Sequence, residues 1–540
     1  MLKNKKKPEA KTIAKRIFLF FCLLLTLGGA LGLRVLRLGN PKISAVETST
    51  QQSSRTLTLF SGRGDIVDRN GEKLVNRSGS WRLLVFPELL DPESVALFMD
   101  DDDFVEALQS TRPVVLNKGG EVWEGAGIFP FRVPVRYGGD PIAVHLIGYR
   151  NGGAGASGLE KAYDDLLTAG AQTTVTYSVD GTGRLLSGEK VTLETPAESE
   201  NSRLVLTIDR KIQSAVETVL KEQIPSGAAV VLDASNGDIL ASASVPDFDP
   251  ENLAAALNAE NAPFLNRAFS AYAVGSTWKL VVAAAALENG YPASRLYDCK
   301  SAIEVGGITY HCHWAYGHGE INMASALRVS CNPYFIDLAE NLGGDPILQM
   351  ARSLGFGMPT SLGPDWNTAA GNLPTGASLS SETVLASFAF GQGKLMATPL
   401  QMASLAAAIA NGGYAVTPRL VLETTDGDGV TEKTPDYAPN RVMSEKTAAA
   451  LREMMIGVVE SGSGEKAKPK TGSAGGKTAS AQSGQFREDG SEIVHAWFIG
   501  FYPAEEPRYA IAVLAEGMDS GGDFAAPVFR AICDCLAENC

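Results

Sequence analysis

Histidine and cysteine are scarce in this chain, which has five histidines and seven cysteines among 540 residues. Small secreted domains often depend on a dense set of disulfides, but seven cysteines over this length do not form such a framework. Cys299 and Cys312 could form one disulfide outside the cell, and the sequence leaves that pairing open. Because histidine is rare, a reaction catalysed by this chain has to take its general base from another residue type.

Positive charge is also lacking over most of the chain. The formal net charge is −14, of which residues 1–37 carry +8 and the remainder −22. Proteins bind nucleic acids through basic patches that release counterions, so this acidic body excludes nucleic acid as a partner. The composition, 45% hydrophobic and 20% charged, is that of a folded protein, and the length predicts two or three domains.

One long apolar run lies near the N-terminus. Residues 17–33 contain no charged side chain, and a helix needs about 20 apolar residues to cross a bilayer. Lysine and arginine are concentrated before this run. The pattern predicts a cytoplasmic tail over 1–16, a single-pass anchor in the cell membrane over 17–37, and an extracytoplasmic remainder. A cleaved signal peptide is the alternative interpretation of the same run.

The next region, 38–200, carries no obvious chemistry. Residues 63–74 predict a short strand that closes on an Asn70-Gly71 turn, and residues 158–170 predict one amphipathic helix. The Arg-Gly-Asp triplet at 63–65 is explained by the start of that strand rather than by cell adhesion. We therefore predict a non-catalytic pedestal or dimerisation-like domain of mixed α/β structure over 38–200.

The pattern changes near residue 203, where a strand precedes a helix that begins after Asp209. Two apolar strands joined by Asn236-Gly237 predict a hairpin. Alanine-rich helices follow, and the late segments AWFIGFYP and YAIAVLAEG predict strands. Helices packed on an antiparallel sheet, an α+β fold, are the natural architecture for residues 201–540.

Metal and histidine chemistry are poorly supported by the sequence. No Gly-x-Ser-x-Gly elbow stands in a convincing strand-to-helix setting. His311, Cys312 and His313, with His318 nearby, lie in an aromatic, glycine-rich loop, and their spacing does not match that of a structural zinc site. We therefore expect no metal and no cofactor.

A serine activated by lysine is the remaining option, because a serine and a lysine three residues apart share one face of a helix. The Ser-x-x-Lys spacing occurs three times, as Ser187–Lys190, Ser276–Lys279 and Ser463–Lys466. The first and third occurrences are polar and glycine-flanked, which predicts solvated loops. The second, after Gly275, opens a helix apolar enough to be buried. Ser276 is therefore the predicted nucleophile, and Lys279 is its predicted, partly desolvated base.

Two further stretches can contribute polar groups to a cleft. Ser330 and Asn332 flank Cys331 in a segment that suits a loop between helices. Two Lys-Thr pairs follow later in the chain. The first, at Lys470, lies among glycine, lysine and proline, whereas Lys477 begins a run in which small and hydroxyl residues alternate. We predict that Lys477 lies on a strand, which aligns it and the hydroxyls of Thr478 and Ser480 along a substrate.

In this order the motifs STWK, SCN and KTA resemble those of the penicillin-binding proteins and serine β-lactamases. Together with RGDIVDRNGEKL, HLIGYRNGGAGASGLEKAYDDLL, LVLTIDRKIQ and HAWFIGFYP, they make the chain similar to the class B penicillin-binding proteins over residues 60–505. That resemblance implies a transpeptidase domain over 201–540. It also implies a peptidoglycan D,D-transpeptidase that β-lactams acylate and that works with a polytopic glycosyltransferase and other wall-synthesis proteins.

The resemblance also implies a role for each matching residue. Ser276 would attack the D-Ala-D-Ala carbonyl of a stem peptide, and Lys279 would be the base. Ser330 would relay a proton to the leaving group, Asn332 would hold the donor amide, and Lys477 would supply positive charge. Thr478 and Ser480 would hold the substrate carboxylate, and the backbone N–H groups of Ser276 and Ser480 would form an oxyanion hole.

Two features depart from the family pattern, and two alternatives stay open. Ala273-Val274 precede Gly275 where the family often has a proline, and we expect this difference to have little effect. Ala479 replaces the glycine of the usual Lys-Thr-Gly motif, and the sequence does not decide the effect of its methyl group. A β-lactamase or a β-lactam sensor is the alternative within the superfamily, and an inactive scaffold for wall synthesis is the alternative outside enzymology. The sequence does not distinguish elongation, division and spore formation.

Overall fold

The structure is a computed structural model that describes residues 10–38, 54–97, 102–118, 126–180, 185–186, 190–195, 201–438 and 440–539. Ser187, in the first Ser-x-x-Lys pair, lies outside these residues. The first element is a 29-residue helix, Ala10–Leu38, which contains the predicted anchor. At 1.5 Å per residue it is about 43 Å long, so its length and composition suffice to cross a bilayer core of about 30 Å.

The described chain divides into two compact units, and the boundary between them is not a single cut near residue 200. The first unit takes in the residues up to Ser61, 80–133 and 172–196, and the second takes in 62–79, 134–171 and the residues from 197 onward. The pedestal predicted over 38–200 is therefore divided between the two units. Pairing explains the division, because the strand Asp65–Val67 lies parallel to Arg203–Leu206 in one sheet.

The first unit contains two small antiparallel sheets and two short helices. One sheet has the order Ser54–Ser61, Gln172–Ser178, Thr192–Glu194, and the other has the order Val114–Leu116, Ser78–Val85, Ile128–Val135. The helices are Pro92–Leu97 and Asp102–Ala107. Successive residues of the strand Ser78–Val85 point to opposite faces and pack in two different cores. Leu83 packs with Phe104, whereas Leu84 packs with Phe131 and Val175.

A buried ion cluster organises the early part of the second unit. The Glu160 carboxylate is completely buried and accepts hydrogen bonds from Arg63 Nε at 2.5 Å and Arg136 Nε at 2.6 Å. The single helix predicted over 158–170 is wrong in detail. The structure has two helices, Gly158–Ala162 and Asp164–Thr168, because Tyr163 has φ −119° and ψ 29° and breaks the helical path.

The centre of the second unit is a five-stranded antiparallel sheet. Its strands are β1 Gly227–Asp233, β2 Ile239–Val245, β3 Gly475–Phe486, β4 Glu492–Tyr502 and β5 Tyr509–Ala515, in the order β2-β1-β5-β4-β3. The predicted hairpin is confirmed, since Gly237 has φ +83° in the turn between β1 and β2. β3 is an edge strand, which leaves its outer side available to the site.

Helices cover both faces of this sheet, which is why its strands are apolar on both sides. Val230 of β1 packs into the larger core with the helices Lys279–Glu288 and Pro399–Ala410. Val231, its neighbour, packs with the helices Arg210–Gln223 and Ala526–Asn539 on the opposite face. The α+β layer prediction is confirmed, and so is the helix start at Asp209, whose carboxylate accepts from two backbone N–H groups.

The remaining elements of the second unit surround this sandwich. The other helices are Val144–Ile147, Leu253–Leu257, Met323–Arg328, Asn332–Leu342, Gly344–Ser353, Glu382–Ala389 and Glu445–Ser461. Small strand pairs are Arg150–Asn151 with Ala154–Gly155, Tyr297–Cys299 with Gly319–Ile321, Ala302–Val305 with Ile308–His311, Ser361–Gly363 with Trp366–Asn367, and Tyr414–Ala415 with Asn440–Arg441. Val421–Thr425 and Thr431–Lys433 complete the sheet of Arg203–Leu206.

Candidate active site

A cleft of about 540 Å³ lies between the edge strand β3 and the helices beside it. Five of the seven residues predicted from the sequence line it, namely Ser276, Ser330, Asn332, Thr478 and Ser480. The other two, Lys279 and Lys477, are completely buried and reach Ser330 and Asn332 through hydrogen bonds. Folding thus brings together three stretches of the chain that are separated by more than 50 residues.

Ser276 lies in a single 3₁₀ turn, Gly275–Trp278, which runs directly into the helix Lys279–Glu288. Gly275 has φ +55°, a left-handed conformation that glycine adopts without steric cost. A Cβ atom at Gly391 would lie 1.9 Å from the Gly275 carbonyl oxygen, so a second glycine lets the chain pack closely here. The sequence placed Ser276 at the leading end of a buried helix, and that prediction is confirmed.

Lys279 is the first residue of this helix, and its side chain is 0% exposed. Its Nζ donates to the Ser330 carbonyl oxygen at 2.7 Å, to Asn332 Oδ1 at 2.7 Å and to Ser330 Oγ at 3.3 Å. Within the described residues, no hydrogen bond joins the Ser276 hydroxyl to Lys279. In this structure the amine therefore contacts the Ser-Cys-Asn stretch rather than the predicted nucleophile.

The Ser330-Cys331-Asn332 stretch is the link between the helices Met323–Arg328 and Asn332–Leu342, as the sequence predicted. Ser330 has φ +55°, which for a residue with a Cβ costs of order 1–3 kcal/mol. Its Oγ accepts hydrogen bonds from both buried amines, Lys279 at 3.3 Å and Lys477 at 3.0 Å. A hydroxyl that accepts from two amines has its own proton free to donate into the cleft.

The strand β3 carries Lys477, Thr478 and Ser480, so the prediction that the second Lys-Thr pair lies on a strand is confirmed. Lys477 Nζ donates to Ser330 Oγ and, at 2.9 Å, to the Thr478 carbonyl oxygen. Lys470 lies outside the strand, 69% exposed, with its Nζ 3.7 Å from an Asp534 carboxylate oxygen. Ala479 is buried in the core of the second unit, although it also borders the cleft.

Burial controls the charge of the two amines. It lowers the pKa of Lys279 to about 7, so a large fraction of this amine is neutral near physiological pH. Burial, and then the charge of Lys279, lowers the pKa of Lys477 well below its usual value. Because both amines contact one hydroxyl, their protonation is coupled, and two full charges side by side are disfavoured. An amine that is neutral at pH 7 is able to act as a base.

The cleft also contains residues that sequence reasoning set aside. Ser463 lines it, and its hydroxyl lies 2.7 Å from that of Thr478. Lys466, three residues later, binds Asp523 at 2.6 Å, so the Ser463–Lys466 pair does not act as a unit. His313 also lines the cleft. The sequence predicted the alternating hydroxyls of β3. It did not predict that the loop carrying Ser463 faces them.

Comparison with known proteins shows which protein family this chain resembles. Residues 227–534 match the penicillin-binding protein transpeptidase domain. The chain is 30% identical to stage V sporulation protein D of Bacillus subtilis, over 88% of this chain and 78% of that protein. It is also 30% identical to the peptidoglycan D,D-transpeptidase PbpA of Mycobacterium tuberculosis, over 71% of this chain and 80% of that protein.

A solved structure agrees with these sequence relatives. Penicillin-binding protein 3 of Mycobacterium tuberculosis, in complex with aztreonam, superposes with a TM-score of 0.66 and 26% identity, covering 90% of this chain and 97% of that one. The chain therefore belongs to the penicillin-binding protein transpeptidase family, whose members are serine acyltransferases. Within that family it is a class B penicillin-binding protein, a serine-type D,D-transpeptidase.

Proposed function

We propose that Ser276 is the nucleophile with which this transpeptidase cross-links peptidoglycan stem peptides. One observation carries the assignment: the Ser330 hydroxyl, in the cleft that Ser276 lines, accepts hydrogen bonds from two buried amines on separate elements. Lysines are rarely buried without a carboxylate partner, and a pair of them is costly to maintain for stability alone. Perturbed amines grouped in a cleft favour a catalytic role.

In the acylation step, Ser276 Oγ attacks the penultimate D-Ala carbonyl carbon while its proton passes to the neutral amine of Lys279. This transfer requires Lys279 Nζ to exchange a hydrogen bond with the Ser-Cys-Asn stretch for one with Ser276 Oγ, a rearrangement of the kind that substrate binding commonly produces. The carbonyl oxygen becomes an oxyanion, which the backbone N–H groups of Ser276 and Ser480 stabilise. Each such donor is typically worth about 3 kcal/mol.

Collapse of the tetrahedral intermediate expels the terminal D-Ala as an amine. Ser330 supplies the proton for this leaving group and recovers one from Lys279 or Lys477, both of which are in hydrogen-bond contact with it. The amine of a second stem peptide then attacks the ester carbonyl carbon and loses one proton, which Ser330 and Lys279 pass back to Ser276 Oγ as the ester C–O bond breaks and the cross-linking amide forms. Asn332, whose Oδ1 is occupied by Lys279, keeps its amide N–H groups for the donor peptide.

The substrate carboxylate binds along β3 in this proposal. Thr478 and Ser480 supply hydroxyls, and Lys477 supplies the neighbouring positive potential when it holds the proton that the coupled amines share. A penicillin presents the same carboxylate beside a strained amide, and penicillin-binding protein 3 of Mycobacterium tuberculosis was also solved in complex with ampicillin. We therefore expect β-lactams to acylate Ser276 and to leave an ester that hydrolyses slowly.

The membrane arrangement follows from the N-terminal helix and its flanking charges. We place residues before the helix in the cytoplasm because lysine and arginine are concentrated there, and the catalytic unit on the outer side with its substrate. A membrane-embedded glycosyltransferase that supplies uncross-linked glycan strands, with other wall-synthesis proteins, is the proposed partner.

Covalent labelling with a fluorescent penicillin tests the nucleophile. Wild-type protein should retain the label through denaturing electrophoresis, and Ser276→Ala should abolish it. Ser463→Ala is the matched control, because it removes a hydroxyl from the same cleft and should still be labelled. Labelling of Ser276→Ala would overturn the assignment, and rapid release of label from the wild type would favour a β-lactamase.

A further inference from the structure

Four side chains beside the cleft form a compact set of metal-ligand atoms, which we term the thiol cluster: Cys299, Cys312, Cys331 and His318. Their three sulfur atoms and one imidazole nitrogen all lie within 4.8 Å of one another. The three cysteines are 2%, 7% and 0% exposed, so the cluster is closed to bulk solvent on most sides.

The fold assembles this set from four places. Cys299 ends the strand Tyr297–Cys299, whose antiparallel partner Gly319–Ile321 begins directly after His318, so strand register places the two ligands side by side. Cys312 follows the strand Ile308–His311, and its backbone N–H is held by the Ser301 carbonyl at 2.7 Å. Cys331 arrives from the link between two helices.

The distances agree with tetrahedral coordination. With Zn–S of about 2.3 Å and Zn–N of about 2.0 Å, tetrahedral angles place sulfurs about 3.8 Å apart and sulfur and nitrogen about 3.5 Å apart. Cys331 and Cys299 sulfurs are 3.5 Å apart, and His318 Nδ1 lies 3.3 Å from the Cys312 sulfur and 3.7 Å from the Cys299 sulfur. Disulfide sulfurs are about 2.05 Å apart, so the thiols are grouped without being bonded.

We propose that the thiol cluster binds one zinc ion as a structural site. Three thiolates and one imidazole are a donor set that selects zinc among the common divalent cations, and four protein ligands leave no open position for catalysis. The spacing of His311, Cys312 and His313, with His318 nearby, predicted no metal. The structure groups Cys312 and His318 with two distant cysteines instead, and His311 and His313 lie outside the set.

The ion would hold one wall of the active site in place. Cys331 stands between Ser330 and Asn332, and Lys279 Nζ donates to both of those neighbours at 2.7 Å. A metal bond at Cys331 therefore anchors the link in which Ser330 keeps its left-handed conformation. Cys312 and His318 would likewise secure both ends of the loop that contributes His313 to the cleft.

Metal analysis of the full-length protein, purified in detergent from zinc-supplemented cells without chelator, tests the proposal. Wild-type protein should contain close to one zinc per chain, and Cys312→Ser and His318→Ala should lose it. Matched controls that should keep the zinc are Cys533→Ser, which also removes a buried thiol, and His311→Ala, which removes an exposed imidazole next to Cys312 in the chain.

A second measurement on wild-type protein does not depend on how the variants fold. Cys299, Cys312 and Cys331 should resist alkylation by iodoacetamide until a zinc chelator is added, and Co²⁺ added to the stripped protein should give the visible absorption of a tetrahedral thiolate complex. Wild-type protein without zinc, zinc retained equally in Cys312→Ser, or a disulfide among these cysteines would overturn the proposal. None of these outcomes depends on penicillin labelling. A negative result here would therefore contradict the zinc site without contradicting the proposed function, and the reverse also holds.

Discussion

Replacing Lys477 with methionine should slow acylation severely, whereas the same change at Lys470 should not. Methionine is an unbranched side chain of similar length, so Lys477→Met removes the amine while largely filling the buried space. The variant loses the 3.0 Å hydrogen bond from Nζ to Ser330 Oγ. While Lys477 holds the proton that the two coupled amines share, this hydrogen bond is charge-assisted and worth about 1.5–3 kcal/mol, which corresponds to about 10- to 150-fold in rate.

The matched variant Lys470→Met removes an amine that is 69% exposed and 3.7 Å from its carboxylate partner. Such surface pairs contribute about 0–1 kcal/mol to stability, and this one is outside the cleft, so acylation should stay within about twofold of wild type. The assay is the second-order rate constant for labelling by fluorescent penicillin, with melting temperatures measured to verify folding. An equal loss in both variants, or a larger loss in Lys470→Met, would refute the assignment of Lys477 to the site.

Two other perturbations follow from buried charges. The acylation rate should rise about tenfold from pH 6 to pH 8 with a midpoint near 7, because the neutral form of Lys279 is the base and burial places its pKa at about 7. A flat profile over this range would contradict that role. Glu160→Gln should lower the free energy of unfolding by about 3–5 kcal/mol, because it leaves Arg136 buried without a counter-charge and Arg63 with Asp164 as its one carboxylate partner. Chemical denaturation measures this loss. The control is Glu460→Gln, which removes a carboxylate from an exposed ion pair and should change the free energy of unfolding by less than about 1 kcal/mol. Similar losses in both variants would be inconsistent with a stabilising buried cluster.

Local features of the chain were readable from the sequence because short-range physics determines them. The Ser276–Lys279 spacing is one helical turn, and an apolar run after it predicts burial of that turn. The alternation after Lys477 predicts a strand, and glycine, lysine and proline around Lys470 exclude one. The helix start at Asp209 and the turn at Asn236-Gly237 likewise depend only on neighbouring residues, and the structure has both.

The tertiary structure determines how those helices, strands and turns pack together to form the site. The sequence could not show that two lysines almost 200 residues apart converge on the Ser330 hydroxyl, because that contact depends on how the helices pack against β3. The same holds for the domain division, which follows from the pairing of Asp65–Val67 with Arg203–Leu206. The thiol cluster is the sharpest case. Three of seven cysteines and three of five histidines fall within residues 299–331, a density visible in the sequence. The pairing of Cys299 with Gly319 brings His318 beside Cys299, whereas His311 and His313 lie outside the set.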